Sequence, residues 1–574
     1  MKKSKALLIL VLLISLIMTT VVGCGQAKVS QNDGQKADNS GQQQGQAKEP
    51  DDPYAPEEGK KYRISWTNYQ IQPAEEGAII LKMLEEKFNV EIDLWNMEHS
   101  RYHELLNLRL ASGEIPDVFR MTDPNTLLTY AEQGVLAELP EDFLRKYAPD
   151  ILKVIEENAP GYMDFGKVNG VQYAIPAINP TNIFRLPLVY RLDWMENVGV
   201  TKTPETLEEF EELMYKFAKE DPDRNGKDDT YGCSQTVLYP VLGAFGLVID
   251  FGGSSFFVER DGKLIDSAVA PELKDALAIL AKWYKDGVLD PEFITGENYG
   301  GYWALSHAFI NGRIGYSSLG NYYHWLPEGA YMIPTEDGTE IPSSDEANAR
   351  EIKLVNPNAK WIQGMPLLGP TGQRGIKAYN RLMNFYGIGK LAEKDKGKMG
   401  KIMEIFNYVS ATPDLDERTT YRWGIKGVHW DWINKEMETI KILPPYDTES
   451  GYENRIGANL GMTLPYPPKA PREQWAYEHG LDKYAIESPI QIGLPKAMQY
   501  SAELIKIRDE AIVAIITGDK PLDYFEEYVQ IYMAAGGKEV EDEANEYYKS
   551  IKINRYMTPI FAVSFKEING LVAV

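Results

Sequence analysis

The loop Asp221-x-Asp223-x-Asn225-Gly226-Lys227-x-Asp229 carries the sharpest chemical pattern in this chain. Side-chain oxygens at positions one, three and five, glycine at six and the Lys227 carbonyl at seven follow the EF-hand arrangement for Ca2+, a hard cation held by oxygen ligands. The alternation lets one tight loop turn its oxygens inward. Position twelve is Gly232 rather than a bidentate Glu, so Asp229 must supply the closing carboxylate. The same residues also suit a plain polar turn after a helix. Outside a cell, even a site with a dissociation constant of roughly 10⁻⁴ to 10⁻³ M is useful, and the role expected for it is structural.

Catalytic patterns are thin by comparison. His99 and His103 stand four apart beside Glu104, but Ser100 follows His99 where a zinc protease needs Glu, so the pair reads as a solvated helix face. The GPTGQRG run at 369–375 lacks the Lys-Ser/Thr of a phosphate loop. No GxSxG nucleophile elbow occurs. Paired carboxylates for glycoside hydrolysis stay open, because their separation in space is not written in a sequence.

The elements that hold these residues begin with a leader. Lys2, Lys3 and Lys5 precede an apolar run at 6–18, shorter than the roughly 20 residues of a membrane span, and Val21-Val22-Gly23-Cys24 looks like a bacterial lipobox. Its Cys24 would be diacylated and become the first mature residue. The stretch from Gly25 to about Glu58 is Gln-, Gly- and Ser-rich and nearly free of bulky apolar residues, so it cannot offset its ordering entropy. It reads as a tether reaching on the order of 30 Å.

Formal net charge is −24, and loss of the three leader lysines leaves about −27, which argues against nucleic acid or an anionic lipid surface as partner. Of two cysteines, Cys24 is taken by the lipobox, so Cys233 is expected to be a lone buried thiol.

The body opens β-α-β-α-β: strands at 62–66, 90–95 and 117–121, with helices at 74–88 and 101–111, the pattern of a parallel α/β sheet. Ligands of such sheets bind beyond the carboxyl ends of strands. That rule singles out Trp66, Asn68 and Tyr69 after the first strand, and Arg120, Thr122 and Asp123 after the third. Asp123 equally suits a helix N-cap ahead of Pro124. Thr206-Leu207-Glu208-Glu209 is a capping box opening a helix, and helices are expected at 495–517 and 522–535.

Several segments carry a resemblance. The lipobox, SGEIPDVF at 112–119, VYRLDWMENVGV with PETLEEF at 189–210, DPDRNGKDDTYG at 221–232, WYKDGVLDPEF at 283–293 and GIKGVHW at 424–430 occur in this order. Together they resemble the extracellular solute-binding proteins of family 1, lipoproteins of Gram-positive bacteria that serve sugar ABC importers.

The resemblance implies a two-lobed periplasmic-binding-protein-like α/β fold with hinge crossovers and a helix-rich C-terminal part. Its divisions are a signal peptide at 1–23, an anchor and linker at 24–60, lobe one at 61–180 and 384–437, and lobe two at 181–383 and 438–574. It also implies an oligosaccharide ligand bound in the inter-lobe cleft, no catalytic residues, and delivery to ABC permease subunits by a monomer on the extracellular membrane face.

On the second lobe it points to Asn321, Tyr322 and Tyr323; Trp423 and Trp430, near the GIKGVHW segment, are further candidates. Sugar rings stack their C–H faces on such aromatics, and burying about 100 Å² of a ring face contributes about 2.5 kcal/mol. A secreted carbohydrate-active hydrolase, or the same fold for a non-sugar solute, remains the alternative.

Overall fold

The computed structural model describes residues 52–557, apart from 71–72, 76, 99–100, 185, 299–303, 327–331, 343–346, 449–451 and 458–459. The leader, Cys24, most of the tether and His99 lie outside the described residues.

The first sheet is built as its alternating apolar residues dictate. Strand β1 (Tyr62–Gln70) buries Tyr62, Ile64 and Trp66 on one face. Helix α1 (Ile79–Phe88) then returns the chain to β2 (Val90–Glu98), which pairs parallel with β1 from Tyr62↔Val90 to Gln70↔Glu98. Helix α1 starts later than the expected residue 74, because Gly77 takes φ +72°, outside the helical region. Helix α2 (Tyr102–Ala111) leads to β3 (Val118–Met121), parallel to β1 at Trp66↔Val118. Helix α3 (Pro124–Glu132) follows at once.

The sheet is mixed rather than wholly parallel. Strand Leu382–Ile388 pairs antiparallel with β3, and strand Ala174–Ile178 pairs antiparallel with it in turn. The order is therefore β2, β1, β3, Leu382–Ile388, Ala174–Ile178. A strand arriving from so distant a part of the chain leaves no mark in local periodicity. Helix Lys396–Ala411 covers one face, and this first core also takes in Leu460, Met462 and Leu464.

A second core gathers around helices Leu207–Lys219 and Glu272–Lys285, where the expected capping box of Thr206 and Glu209 is formed. Helices Pro495–Thr517, Tyr524–Tyr532 and Lys538–Met557 pack onto this core. The last two are separated by a break at Gly536, whose φ of +121° and position against the Tyr500 ring leave no room for a Cβ. Beside them, Val189–Arg191 lies between Tyr316–Ser317 and Trp361–Gln363 in a small antiparallel sheet. Cys233 is buried in the second core, and burial pushes its thiol well above the ordinary range.

Among the described residues the chain passes between the two cores three times. Ile178 ends the first core and Leu186 opens the second; Ile376 belongs to the second and Leu382 to the first; Leu464 belongs to the first and Leu494 to the second. A small apolar cluster takes one residue from each crossing, Ile183, Ala378 and Ala476, together with Tyr322 and Leu326. Among the described residues, no helix is long and apolar enough to cross a membrane.

Candidate functional site

At the carboxyl edge of the first sheet, a tyrosine, an arginine and an amide come together. The Arg120 guanidinium lies over the Tyr69 ring, 4.4 Å from its centroid, and Tyr102 meets Tyr69 edge-on at 5.2 Å. The Tyr102 hydroxyl donates to the Arg120 carbonyl at 2.7 Å, fixing the end of β3. With the Asn384 amide turned so that its oxygen faces Arg120, that oxygen accepts from Nη2 at 3.2 Å. Burial pushes the Tyr69 phenol up, and the Arg120 charge opposes the shift. Thr122 Oγ1 lies 2.5 Å from His103 Nε2.

Three residues named from this edge do other work. Trp66 is only 2% exposed and packs on Phe406 at 5.9 Å, because β1 runs on to Gln70 and leaves Trp66 in the middle of the sheet. Asn68 is buried too, its amide donating to Asn96 Oδ1 at 3.1 Å. Asp123 is the α3 N-cap, accepting from Thr126 N at 2.9 Å and Thr126 Oγ1 at 2.7 Å. Tyr69, Arg120 and Thr122 thus form the part of this edge with rings and donors near the sheet margin.

Asn321, Tyr322 and Tyr323 sit in and just before the 3-10 turn Tyr322–Trp325. Tyr322 is buried, its ring parallel to Trp475 at 5.8 Å and its hydroxyl donating to the Arg472 carbonyl at 2.8 Å. A stacking ring is present where one was expected, but the chain's own indole lies against it. Tyr323 receives the Arg472 guanidinium over its face at 4.8 Å, and its hydroxyl accepts from Asn321 Nδ2 at 2.8 Å. Arg472 and Trp475 belong to helix Pro471–Glu478 at the third crossing. Sequence reasoning missed both; the proline opening their helix was visible, but its packing partner was not.

Buried polar atoms without a hydrogen-bond partner collect at the same place. Asn182 Oδ1 lies on the first crossing, Glu473 Oε2 on the third, and Gln363 Oε1 belongs to a side chain that donates to the Tyr322 carbonyl at 2.9 Å, while on the second crossing Arg381 Nε is ion-paired with Glu487 Oε1 at 3.4 Å. Unpaired buried polar atoms are rare in folded proteins and costly to keep. A hydroxyl-rich ligand is one way to satisfy them.

Trp430 is fully buried, its Nε1 donating to the Gly424 carbonyl at 2.5 Å, so it holds the turn before it. Trp423 instead lines a cavity of 210 Å³ in the first lobe, with Arg418, Arg422, Trp432, Glu438 and Tyr466. Trp432, unnamed from the sequence, is anchored by an Nε1 bond to Asp416 at 2.7 Å.

In the loop at 221–229, Asn225 is the hub. Its main-chain N donates to Asp221 Oδ1 at 3.1 Å and Asp223 Oδ1 at 3.2 Å, while its amide donates to Asp223 Oδ2 at 2.8 Å and Asp229 Oδ1 at 3.0 Å. Lys227 N donates to Asn225 Oδ1 at 2.8 Å. Burial raises the Asp223 carboxyl above its ordinary value, a hydrogen bond from Asn225 opposes this, and Asp221 and Asp229 add to it. The donor set is all oxygen and fits Ca2+ in kind. Among the described residues, no group of three or more His, Cys, Asp or Glu has the arrangement of a metal site, and the Asn225 amide bridges Asp223 and Asp229.

Residues 80–326 match a family model described as bacterial extracellular solute-binding protein. The chain is 24% identical over 510 residues to the polygalacturonan/rhamnogalacturonan-binding protein YtcQ of Bacillus subtilis (strain 168), spanning 86% of this chain and 92% of that one. It is also 24% identical over 496 residues to lipoprotein LipO of the same organism, spanning 82% and 89%. Among solved structures, the S. pneumoniae ABC-transporter substrate-binding protein FusA, as an EF-hand mutant in complex with fructo-nystose, superposes with a TM-score of 0.63 at 18% identity, covering 86% of this chain and all of that one. The likeness to FusA is one of fold, the two-lobed α/β fold expected from the sequence.

Proposed function

We propose that this chain is a bacterial extracellular solute-binding protein, the receptor of an ABC importer that binds a carbohydrate, an oligosaccharide, between its two lobes and hands it unaltered to the permease. The observation that carries the reading is the junction of the three crossings. Tyr322, Tyr323, Trp475 and Arg472 meet there, amid buried polar atoms that lack partners. In this reading the Tyr69–Arg120–Asn384 group, at the carboxyl edge of the first sheet, contributes the contacts from lobe one. A ligand touching both sides favours the closed form, so closure is a population shift driven by its differential contacts. The polygalacturonan/rhamnogalacturonan-binding relative YtcQ and the fructo-nystose complex of FusA support a sugar as the solute.

We assign lobe one to 53–178 and 382–466, and lobe two to 186–376 and 486–557, which moves the last crossing from the expected 438 to beyond Tyr466. Cys24 carries the lipid anchor in this reading. Its two acyl chains suffice for stable attachment at the outer membrane face, and the following residues form the tether. Relative LipO, named a lipoprotein, supports this. The loop with Asp221, Asp223, Asn225, Lys227 and Asp229 takes a structural Ca2+ in this reading, which is supported by its oxygen donors and by the EF-hand of FusA.

A glycan panel tests the reading. Saturable binding measured by calorimetry, with the ligand recovered intact by chromatography, is the expected result. Cleaved product would sink the receptor in favour of a hydrolase, and no binding across the panel would leave the carbohydrate assignment without support.

A further inference from the structure

The cavity beside Trp423 stands apart from the junction just described, on the second segment of the first lobe. Its walls are the indoles of Trp423 and Trp432, the Tyr466 ring and the main chain at 461–464. At 210 Å³ it is smaller than the usual range of about 300–1,000 Å³ for whole small-molecule sites, and suits a single ring. Two structural links tie it to the crossings. The Thr463 carbonyl accepts from Ile178 N at 3.0 Å, at the start of the first crossing. Strand Met332–Pro334, from the second lobe, packs against Trp430–Asn434, which carries Trp432.

The charge of this cavity runs against that of the molecule. Its charged lining residues are Arg418, Arg422 and Glu438. Arg418 and Arg422 lie one turn apart on helix Leu415–Trp423. Arg418 is stacked on Tyr466 at 4.3 Å and donates to its hydroxyl at 3.1 Å, so its guanidinium is held in place. Glu438 stands 3.8 Å from Arg418 and is also paired with Lys469 at 2.9 Å. The lining is therefore net positive in a chain of formal charge −24. Guanidinium groups recognise carboxylates through paired, charge-assisted hydrogen bonds, while indoles accept the apolar face of a sugar ring.

We infer that this cavity is a subsite for a carboxylate-bearing sugar residue, a uronate, so that the receptor reads an acidic oligosaccharide whose chain reaches from the crossings to the Arg418–Arg422 pair. The inference rests on the carbohydrate-receptor reading. It adds to that reading the charge of the ligand and a second point of contact next to where the lobes touch.

Calorimetry on the purified mature chain, with trigalacturonate and the neutral trisaccharide maltotriose as probes, tests it. Trigalacturonate is expected to bind at least about 10-fold more tightly and to weaken with added salt. Arg422→Gln should lower its affinity by about 10- to 100-fold, the loss expected for a charge-assisted hydrogen bond, while leaving any maltotriose binding unchanged. Arg422 is solvent-exposed, so the unfolding temperature should hold. If it does not, the salt dependence of the unsubstituted chain still decides.

Equal affinity for the two probes, or trigalacturonate binding insensitive to both salt and Arg422→Gln, overturns the inference. Binding of neutral glycans alone overturns it and leaves the receptor reading standing. Failure to bind any glycan overturns both.

Discussion

Asn225 touches three carboxylates at once, and its position shows what a cation would change in the loop. Asp221, Asp223 and Asp229 crowd one another, and the pKa of Asp223 is held above its ordinary value by burial first and by these neighbours after it. A divalent cation would relieve that repulsion. Calcium at about 100 times its dissociation constant is expected to stabilise the mature chain by about 2.7 kcal/mol, seen as a higher unfolding temperature. Asp223→Ala should abolish the response, and a melt indifferent to calcium and chelator would show the loop to be a polar turn only. The loop's pattern is visible in the sequence because its oxygen-bearing residues are adjacent in the chain. Trp66 and Trp430 were misread for the opposite reason: whether a ring is a platform or a core residue depends on what covers it, and both are covered.

Among elements, the second lobe is tied together by one buried carboxylate. Glu297 accepts from Thr236 N and Oγ1 in a 3-10 turn, from Ser306 Oγ at the start of a short helix, and from Ser317 Oγ in the small sheet. Burial raises its pKa, and those hydrogen bonds work against the rise. Removing the acceptor by Glu297→Ala leaves four donors inside the protein and should cost roughly 3 kcal/mol.

The sign of its pH effect follows from linkage. The folded state keeps the proton to a higher pH than the unfolded chain, whose carboxyl titrates near 4.3. The proton-linked stability is therefore full below that pH and lost as pH rises through the folded value. Urea unfolding from about pH 4 to pH 7 should show the stability of the native chain falling relative to Glu297→Gln as pH increases. A difference that stays flat would mean that Glu297 titrates normally. Capping behaved as the sequence indicated at Thr206, where donor and acceptor are three residues apart. No such local signal announced that strand Leu382–Ile388 would close the first sheet.

At the scale of the whole molecule, two cores joined by three thin crossings make relative lobe motion the natural soft coordinate. Small-angle scattering should show a smaller radius of gyration when a bound glycan is added, because closure expels water from between the lobes. An identical profile with saturating ligand would argue for a rigid body. The sequence by itself determined the α/β element order and the two-lobed fold, and it carries the lipobox and the calcium-type loop as patterns, since each is written in residues close together or in an ordered series of segments. Tertiary structure alone decided which rings meet and which are buried. Tyr322 reaches the Arg472 carbonyl across 150 residues, and Asn182 reaches the Asn380 carbonyl across 198. Contacts of that separation are set by how the lobes pack and return on one another, and local periodicity, which reports only the faces of single helices and strands, holds no record of them.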